Sequence, residues 1–463
     1  MLFHPLLKRI VLSPKGLALA AIALLAAHCA LGQDAGGAAA SPAAVPSPAG
    51  IALPSIPNRS ADITQYGANP DGVTMSTAGI QKAIDAIGNA GGGRVVVPMG
   101  RFLTGPLTLA SNIDLHLEKG AVLAMSSRPA DFPVAGGNSA SFITADNAHD
   151  IRLSGEGTID GQGATWWKAF KAGKAAGITS APRRPQLIYI SHCQRVEIEG
   201  ITTLNPPNTH FSIRQSMDIT VHELTASAPG DSPNTDALNL NVVKNVLIED
   251  CRIATGDDNI VLLGEHPYDA SSVGVENVTV RNCRLGVGHG LSIGSFTAGG
   301  IRNVLFDNIA FDGTISGIRL KASRDRGGVV EGITYRNISM RNVRYPIYIS
   351  SYYPREPAGP AEDLPANGNR VPAWRDITIQ NLTATGARTA TILWGLPDAP
   401  ISRVTYQNVH IAAQEGALLF HAKDVTFSDT DFKVSTGPIL QLYDAAANGL
   451  PGVPFSGAAA NFR

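Results

Sequence analysis

Three aspartates and a histidine recur at a similar place in neighbouring segments of the chain, each just ahead of a short apolar run. They are Asp236, the adjacent pair Asp257 and Asp258, and His289. Carboxyl groups held close together resist simultaneous ionisation, so one keeps its proton while another is a carboxylate. Such a pair suits cleavage of a glycosidic bond, which needs a protonated carboxyl for the leaving oxygen and a carboxylate for water or the anomeric carbon.

Two cations follow in the next segment, Gly317-Ile-Arg-Leu-Lys-Ala. Arg319 and Lys321 alternate with apolar residues, so both side chains point to the outward face of a strand. Next to paired carboxylates they could hold the carboxylate of an acidic sugar, which Arg can bind through two hydrogen bonds. Tyr348 occupies the corresponding outward position one segment later. Each of these residues alone would more often belong to an ordinary solvent-exposed face. Their shared register is what favours a catalytic role.

A repeated pair of strands would position these residues. A first strand of the type V-x-I recurs mostly 21 to 32 residues apart, and one gap of 44 contains the Pro-rich insertion Tyr352–Pro372. Its copies begin at Val196, Ile219, Val246, Val278, Val304, Ile333, Ile377, Val404 and Val425. A second strand starts 12 or 13 residues after the first in four of the repeats. Constant spacing inside a repeat of variable length is typical of a solenoid whose coils stack in parallel.

The register of the second strands brings the ionisable residues into a row. We align these strands by their first core residues, Leu238, Ile260, Leu291 and Ile318. Asp236, Asp258 and His289 then stand two positions earlier on three consecutive coils, with Asp257 adjacent. Because neighbouring strands lie about 4.8 Å apart, we expect a row along the solenoid axis with one ionisable group every ~5 Å.

A second column supports the same stacking. Four residues after the first-strand starts stand Asp250, Asn282, Asn308, Asn337, Asn381 and Asn408, whose side chains could hydrogen-bond along a ladder. The next position holds Cys251 and Cys283 on adjacent coils, which we interpret as buried thiols, with a disulfide as the open alternative. Together with Cys193 they make an odd number of cysteines after the N-terminal segment, which argues against a disulfide framework.

The composition limits the classes of partner. The 463 residues carry a formal net charge of −1, so no global positive field favours nucleic acid or an anionic membrane. The chain is 44% hydrophobic and has 48 Gly and 30 Pro, which fits a large core with many turns. An acidic polysaccharide would therefore have to be bound by local basic residues.

The N-terminal segment predicts export. In residues 1–32, Lys8 and Arg9 precede the apolar run Gly16–Leu31, and small residues suit a cut before Gln33. The prediction is a cleaved signal peptide and a secreted or periplasmic protein with no later membrane contact, and the alternative is a retained anchor. Residues 33–60 are rich in Ala, Gly, Pro and Ser and predict a linker. Residues 61–463 would form one domain, in which a short amphipathic helix over Ala78–Asn89 caps the open end.

Four motifs carry a resemblance to a known family. They are Ser232-Pro-Asn-Thr-Asp236, Thr255-Gly-Asp-Asp-Asn259, Gly288-His-Gly290 and Arg319-Leu-Lys321. In this order and spacing they resemble the signature of the polygalacturonases, glycoside hydrolase family 28. The resemblance implies an all-β, right-handed parallel β-helix of the pectin-lyase-like type and inverting hydrolysis of α-1,4-linked galacturonate. It implies no cofactor and no metal, and the expected partner is pectin or polygalacturonate bound by a monomer.

The resemblance also assigns roles. Asp257 would be the general acid, Asp236 with Asp258 would activate water, and His289 would support the acid. Arg319 and Lys321 would bind the uronate carboxylate, and we expect Asn234, His210 and Tyr348 to contact substrate. Leu263 stands where many relatives carry Lys, and Ala237 where many carry Gly, which leaves the pectic substrate open. A calcium-dependent pectate lyase and a non-catalytic carbohydrate-binding or adhesion solenoid are the alternative functions.

Overall fold

The computed structural model describes residues 50–178, 183–265, 274–354 and 370–451. The predicted signal peptide lies outside the described residues. Ser55, inside the predicted linker 33–60, donates its backbone N–H to Asp150 at 2.8 Å, so this end of the linker lies along the folded body. Within the described ranges, no helix combines the length and apolar character needed to cross a membrane.

The described chain is built almost entirely of short strands. The first fifteen are β1 Ser60–Asp62, β2 Asp71–Met75, β3 Gly93–Val97, β4 Gly100–Thr104, β5 Leu107–Thr108, β6 Ile113–Leu117, β7 Ala121–Met125, β8 Val134–Ala135, β9 Asn138–Ser139, β10 Ile143–Asp146, β11 His149–Gly155, β12 Thr158–Asp160, β13 Ile188–Ser191, β14 Gln194–Glu199 and β15 Thr202–Leu204. The others are β16 Phe211–His222, β17 Thr225–Ser227, β18 Leu238–Glu249, β19 Arg252–Ala254, β20 Ile260–Leu263, β21 Val275–Arg281, β22 Arg284–Leu285, β23 Leu291–Ile293, β24 Ile301–Asp312, β25 Ser316–Lys321, β26 Val329–Arg341, β27 Tyr345–Ser350, β28 Ala373–Trp394, β29 Ile401–Val434 and β30 Leu440–Asn448. Two α-helices, α1 Thr77–Asn89 and α2 Ala164–Ala175, and two 3-10 turns, Ile63–Tyr66 and Pro129–Asp131, complete the described elements.

Parallel pairing between successive coils makes the fold a parallel β-helix, as the repeat predicts. Apart from the antiparallel hairpin β8–β9, the strands belong to one sheet of 28. The first strands pair in the predicted register, through Val196, Ile219, Val246, Val278, Val304, Ile333, Ile377 and Val404. The second strands pair through Leu238, Ile260, Leu291 and Ile318, the alignment derived from the sequence.

The core runs along the solenoid axis. The aligned apolar residues point inward and are at most 2% exposed, since alternate side chains of a strand face opposite sides. Phe306 and Tyr335 stack in the core with ring centroids 4.6 Å apart, one coil on the next. Cys251 and Cys283 are buried free thiols, as interpreted from the sequence.

The Asn column forms the corner of each coil. Its asparagines take left-handed backbone angles, such as φ 54° at Asn308, which Asn tolerates better than most residues. Their side chains also form the expected ladder, from Asn308 to Asn282 at 2.8 Å, Asn381 to Asn337 at 3.0 Å and Asn408 to Asn381 at 2.9 Å. The ladder is interrupted once, because Asn337 donates to Asp307 and not to Asn308.

Replacing a corner asparagine separates its two contributions to stability, the side-chain hydrogen bond and the tolerance of a positive φ. We expect Asn308→Ala to lower the free energy of unfolding by about 1–2 kcal/mol, because Ala loses the bond to Asn282 and resists a positive φ. Asn308→Gly keeps the backbone conformation and should cost clearly less. Urea unfolding of both variants measures the difference, and equal losses would contradict the proposed backbone contribution.

Helix α1 closes the N-terminal end of the solenoid. It matches the predicted helix within one residue, and the predicted apolar positions Ile80, Ala83, Ile84 and Ile87 are all buried. The close approach at Gly79 requires glycine, since a Cβ there would lie 2.6 Å from the backbone nitrogen of Ala68. The helix therefore covers an edge that would otherwise be free to pair with another chain.

Candidate active site

The row of ionisable groups lies in one groove on the second-strand face. This active-site groove has a volume of about 1000 Å³. Its lining includes Asn234, Asp236, Asn239, Asp257, Asp258, Val261, Leu263, Lys321 and Tyr353. The structure thus brings together the three predicted carboxyl groups, a predicted cation and Asn234. His289 and Arg319 join them through contacts to Asp257 and Asp258.

Asp258 is the centre of the cluster. It is 4% exposed and accepts hydrogen bonds from Lys321 at 2.6 Å, Arg319 at 3.1 Å and Ser292 at 2.6 Å. Burial by itself favours the protonated form, but Lys321, Arg319 and His289 outweigh it and lower the pKa of Asp258 to about 2. Asp258 is therefore a carboxylate at neutral pH.

Asp236 sits in the opposite electrostatic environment. Its side chain accepts a hydrogen bond from Asn239 at 2.8 Å. Burial, followed by repulsion from Asp257 and Asp258, raises the pKa of Asp236 to about 8. The cluster therefore separates its carboxyls into one that is ionised and one that keeps a proton, as the sequence led us to expect.

Asp257 is more exposed than Asp258 and contacts the histidine. Its Oδ1 lies 2.9 Å from Nδ1 of His289, while the same nitrogen is 3.7 Å from Asp258. The backbone N–H of Asp258 donates to Asp257 at 3.0 Å, and Asn234 approaches at 3.5 Å. The backbone N–H of His289 also donates to the Asp257 carbonyl, which fixes the two residues side by side.

The Gly-His-Gly segment is shaped by close approach to the next coil. Gly290 has φ +85°, and a Cβ there would lie 2.0 Å from the carbonyl oxygen of Ser316. A Cβ on Gly288 would meet the side chain of Asn259 at 2.5 Å. Glycines on both sides of His289 thus let its coil pack tightly enough to bring the imidazole to Asp257.

One carboxyl pair and the histidine also have ligand-like geometry. Ligand atoms of Asp257, Asp258 and His289 lie within 4.8 Å of one another. Both oxygens of Asp258, however, already accept bonds from Arg319 and Lys321, which supply the positive charge that a cation would bring. These bonds compete with a metal ion for Asp258. That the enzyme needs no metal remains a prediction from the sequence.

Two predicted substrate contacts are placed differently. His210 is fully buried and bonds to Thr203 at 2.9 Å, and burial lowers its pKa to about 3, so it is a neutral interior histidine. This placement corrects the expectation that it faces the groove. Tyr348 does pair in register with Arg319, but it is only 8% exposed. It packs in an aromatic cluster in which Tyr352 stacks on Trp394 at 4.3 Å.

The walls of the groove were not predicted. No helix was predicted from the sequence at α2, whose Phe170 lines the groove. Arg184 donates hydrogen bonds to the carbonyl of Pro233 and the side chain of Asn234, and it stacks on Phe170 at 4.0 Å. It thus ties this wall to the Asn234 loop. Asn239 could have been found from the register, because its position faces outward next to Asp236.

Comparison with known proteins identifies the family. Residues 88–431 match the model of "Glycosyl hydrolases family 28". The chain is 31% identical over 362 residues to an endo-polygalacturonase of Pectobacterium carotovorum subsp. carotovorum, with 73% of this chain and 85% of the relative covered. It is 28% identical over 365 residues to an exopolygalacturonase of Zea mays, covering 77% and 84%. The polygalacturonase structure from Erwinia carotovora ssp. carotovora superimposes with a TM-score of 0.69 at 29% identity, covering 81% and 98%.

The family match runs from the end of helix α1 into β29 and includes the coils that carry the acidic cluster. The parallel β-helix agrees with the fold of the matched polygalacturonase structure. The chain belongs to family 28 of the glycosyl hydrolases, as a polygalacturonase-like glycoside hydrolase.

Proposed function

We propose that this enzyme hydrolyses the α-1,4 bonds between galacturonate residues of pectic polysaccharide, with inversion at the anomeric carbon. The observation that carries the proposal is the opposed environment of Asp236 and Asp258, which lie on adjacent coils beside Asp257. A glycosidase needs one carboxyl that holds a proton and another that is ionised. Inversion itself is taken from the family.

The roles follow from the contacts. Asp257, whose side chain is 23% exposed against 6% for Asp258, protonates the leaving oxygen, and Nδ1 of His289 lies 2.9 Å from its carboxyl. Asp258 and Asp236 orient and deprotonate the attacking water. Because Asp236 has a raised pKa, its proton must leave, or move to Asp257, before it acts as a base. The raised pKa of Asp236 also supports an alternative arrangement, in which Asp236 is the general acid.

The cations serve the substrate as well as Asp258. Arg319 carries five N–H donors and Lys321 three, so the bond that each gives to Asp258 leaves donors for an incoming carboxylate. The carboxylate of a galacturonate next to Arg319 and Lys321 would be bound by their positive charge. It would in turn orient these cations, which keep Asp258 ionised.

Product chemistry tests the reaction. Polygalacturonate should yield reducing ends without the ultraviolet absorbance of unsaturated products, and chelating divalent ions should not reduce the rate. Unsaturated products would show that the enzyme is a lyase. If no reducing ends were released, the remaining alternative would be a non-catalytic carbohydrate-binding protein. Proton NMR of the first anomer formed tests inversion, and products from a defined galacturonate oligomer show whether cleavage is internal or terminal.

In view of the predicted signal peptide, we propose a secreted or periplasmic enzyme.

Charge recognition predicts the behaviour of an arginine variant. Arg319→Ala should raise KM for fully charged polygalacturonate about ten-fold or more, because a charge-assisted contact to the sugar carboxylate is lost. KM for a highly esterified substrate should change much less. Arg341→Ala removes an exposed arginine that pairs with Asp312 and serves as the control. An equal rise of KM on both substrates would show that Arg319 does not read the carboxylate.

A further inference from the structure

The floor of the active-site groove changes character along the solenoid axis. Arg319 pairs in register with Ser292, and Ser292 with Val261. Val261 and Leu263 on β20 therefore occupy outward positions that match those of Arg319 and Lys321, two coils away. Both line the groove next to Asp257 and Asp258. The floor is thus aliphatic on the coil that carries Asp257 and Asp258, and cationic two coils further along the axis.

The walls of the groove carry large apolar side chains as well as cations. Phe170 and Phe296 each line the groove and are 38% exposed. Ile178, at 55% exposed, lines it as well. Large apolar side chains that converge on one concave surface of a soluble protein mark a binding site for apolar groups.

A carboxylate would be poorly bound on this side. Val261 and Leu263 offer it no hydrogen-bond donor, and the neighbouring Asn239 amide already gives one N–H to Asp236. The neighbouring carboxyl cluster would repel a second negative charge across a partly desolvated gap. Among the described residues, the other cations that line the groove here belong to the wall, namely Lys174, Arg183 and the engaged Arg184.

We propose that the subsite over Leu263 takes a galacturonate whose carboxyl is methyl-esterified, while the subsite at Arg319 and Lys321 takes a charged one. The inference rests on the proposed function and narrows its substrate to partly esterified pectic polysaccharide. An ester is neutral and presents a methyl group to the aliphatic floor, so it avoids the repulsion and gains apolar contact. A charged residue remains necessary on the cationic side.

The test compares galacturonans of one chain length that differ only in methyl-ester content. For the wild type, kcat/KM should be highest at intermediate esterification and about five-fold lower after complete saponification, a factor in the range of one partly exposed ionic contact. Leu263→Lys places a cation on the floor and should move the optimum to the saponified substrate. Leu263→Met keeps the apolar surface, so its optimum should stay at intermediate esterification whatever its absolute rate, and thermal unfolding confirms that both variants fold.

The outcomes separate this inference from the proposed function. Activity that increases steadily with charge in the wild type, with no change of preference in Leu263→Lys, would overturn the inference and leave the hydrolase intact. A second contrary result would be that Lys174→Ala or Arg183→Ala loses activity towards the saponified substrate while still cleaving the esterified polymer at the wild-type rate. That result would also overturn the inference, because a cation of the wall would then bind the carboxylate. Failure to release reducing ends from any galacturonan would overturn the proposed function instead.

Discussion

Asp257→Asn should reduce turnover of polygalacturonate by about 100-fold or more, because the amide cannot donate the proton that the leaving oxygen needs. The substitution is nearly isosteric, and the Asn oxygen can still accept the backbone bond from Asp258. The fold and substrate binding should therefore survive, so kcat should fall with KM nearly unchanged. Asp312→Asn, an exposed aspartate paired with Arg341, is the matched control.

An activated substrate shows which carboxyl is the acid. A galacturonide with a nitrophenol leaving group needs little protonation, so Asp257→Asn should hydrolyse it at close to the wild-type rate. Asp236→Asn should be slow on both substrates if Asp236 acts as a base. The reverse pattern, with Asp236→Asn recovering on the activated substrate and Asp257→Asn nearly normal on the polymer, would assign the acid to Asp236 and reject our assignment.

The sequence predicts the coils better than it predicts what lies between them. The first and second strands obey a fixed spacing and a strict inward and outward alternation, so pairing register, core and ionisable row follow from local pattern. The glycosidase cluster could be predicted for the same reason, because Asp236, Asp258 and His289 share one register position. Stacking coils turn a regularity along the chain into proximity in space.

Features that depend on contacts across loops were not predictable in this way. Helix α2 and Arg184 form a wall because Arg184 reaches Asn234, fifty residues further along the chain. His210 bears no local sign of burial, since only its position in the coil sends the ring inward to Thr203. The bonds from Arg319 and Lys321 to Asp258 were missed as well, because the sequence suggested only their affinity for a sugar carboxylate.

Two isosteric substitutions on adjacent coils should change stability in opposite directions. At pH 7, Asp236→Asn should raise the free energy of unfolding by about 1–3 kcal/mol, because a carboxyl whose pKa the fold raises is costly to ionise. Asp258→Asn should lower it by about 3 kcal/mol, because buried Lys321 and half-buried Arg319 lose their counter-charge. Urea unfolding measures both, and changes of equal sign would contradict the opposed environments.

The pH dependence follows from the same shifts. Below the ordinary value of 3.8, Asp236 is protonated in both states, so Asp236→Asn should be neutral there. Its stabilising effect should grow as the pH rises from 3.8 to about 8, where the wild-type unfolded chain ionises and the folded one resists. For Asp258 the folded pKa is depressed, so its stabilising charge is present above 3.8 and is lost as the pH falls to about 2. The penalty of Asp258→Asn should fade over that window.

The two effects should also depend on each other. Repulsion from Asp258 is one of the causes that raise the pKa of Asp236, so removing that charge makes Asp236 easier to ionise. In the Asp258→Asn background, Asp236→Asn should therefore stabilise less than it does in the wild type. A double-mutant cycle at pH 7 isolates this coupling. A coupling of zero would mean that the charge of Asp258 does not help to hold the proton on Asp236, and that these two stacked carboxyls do not titrate as one unit.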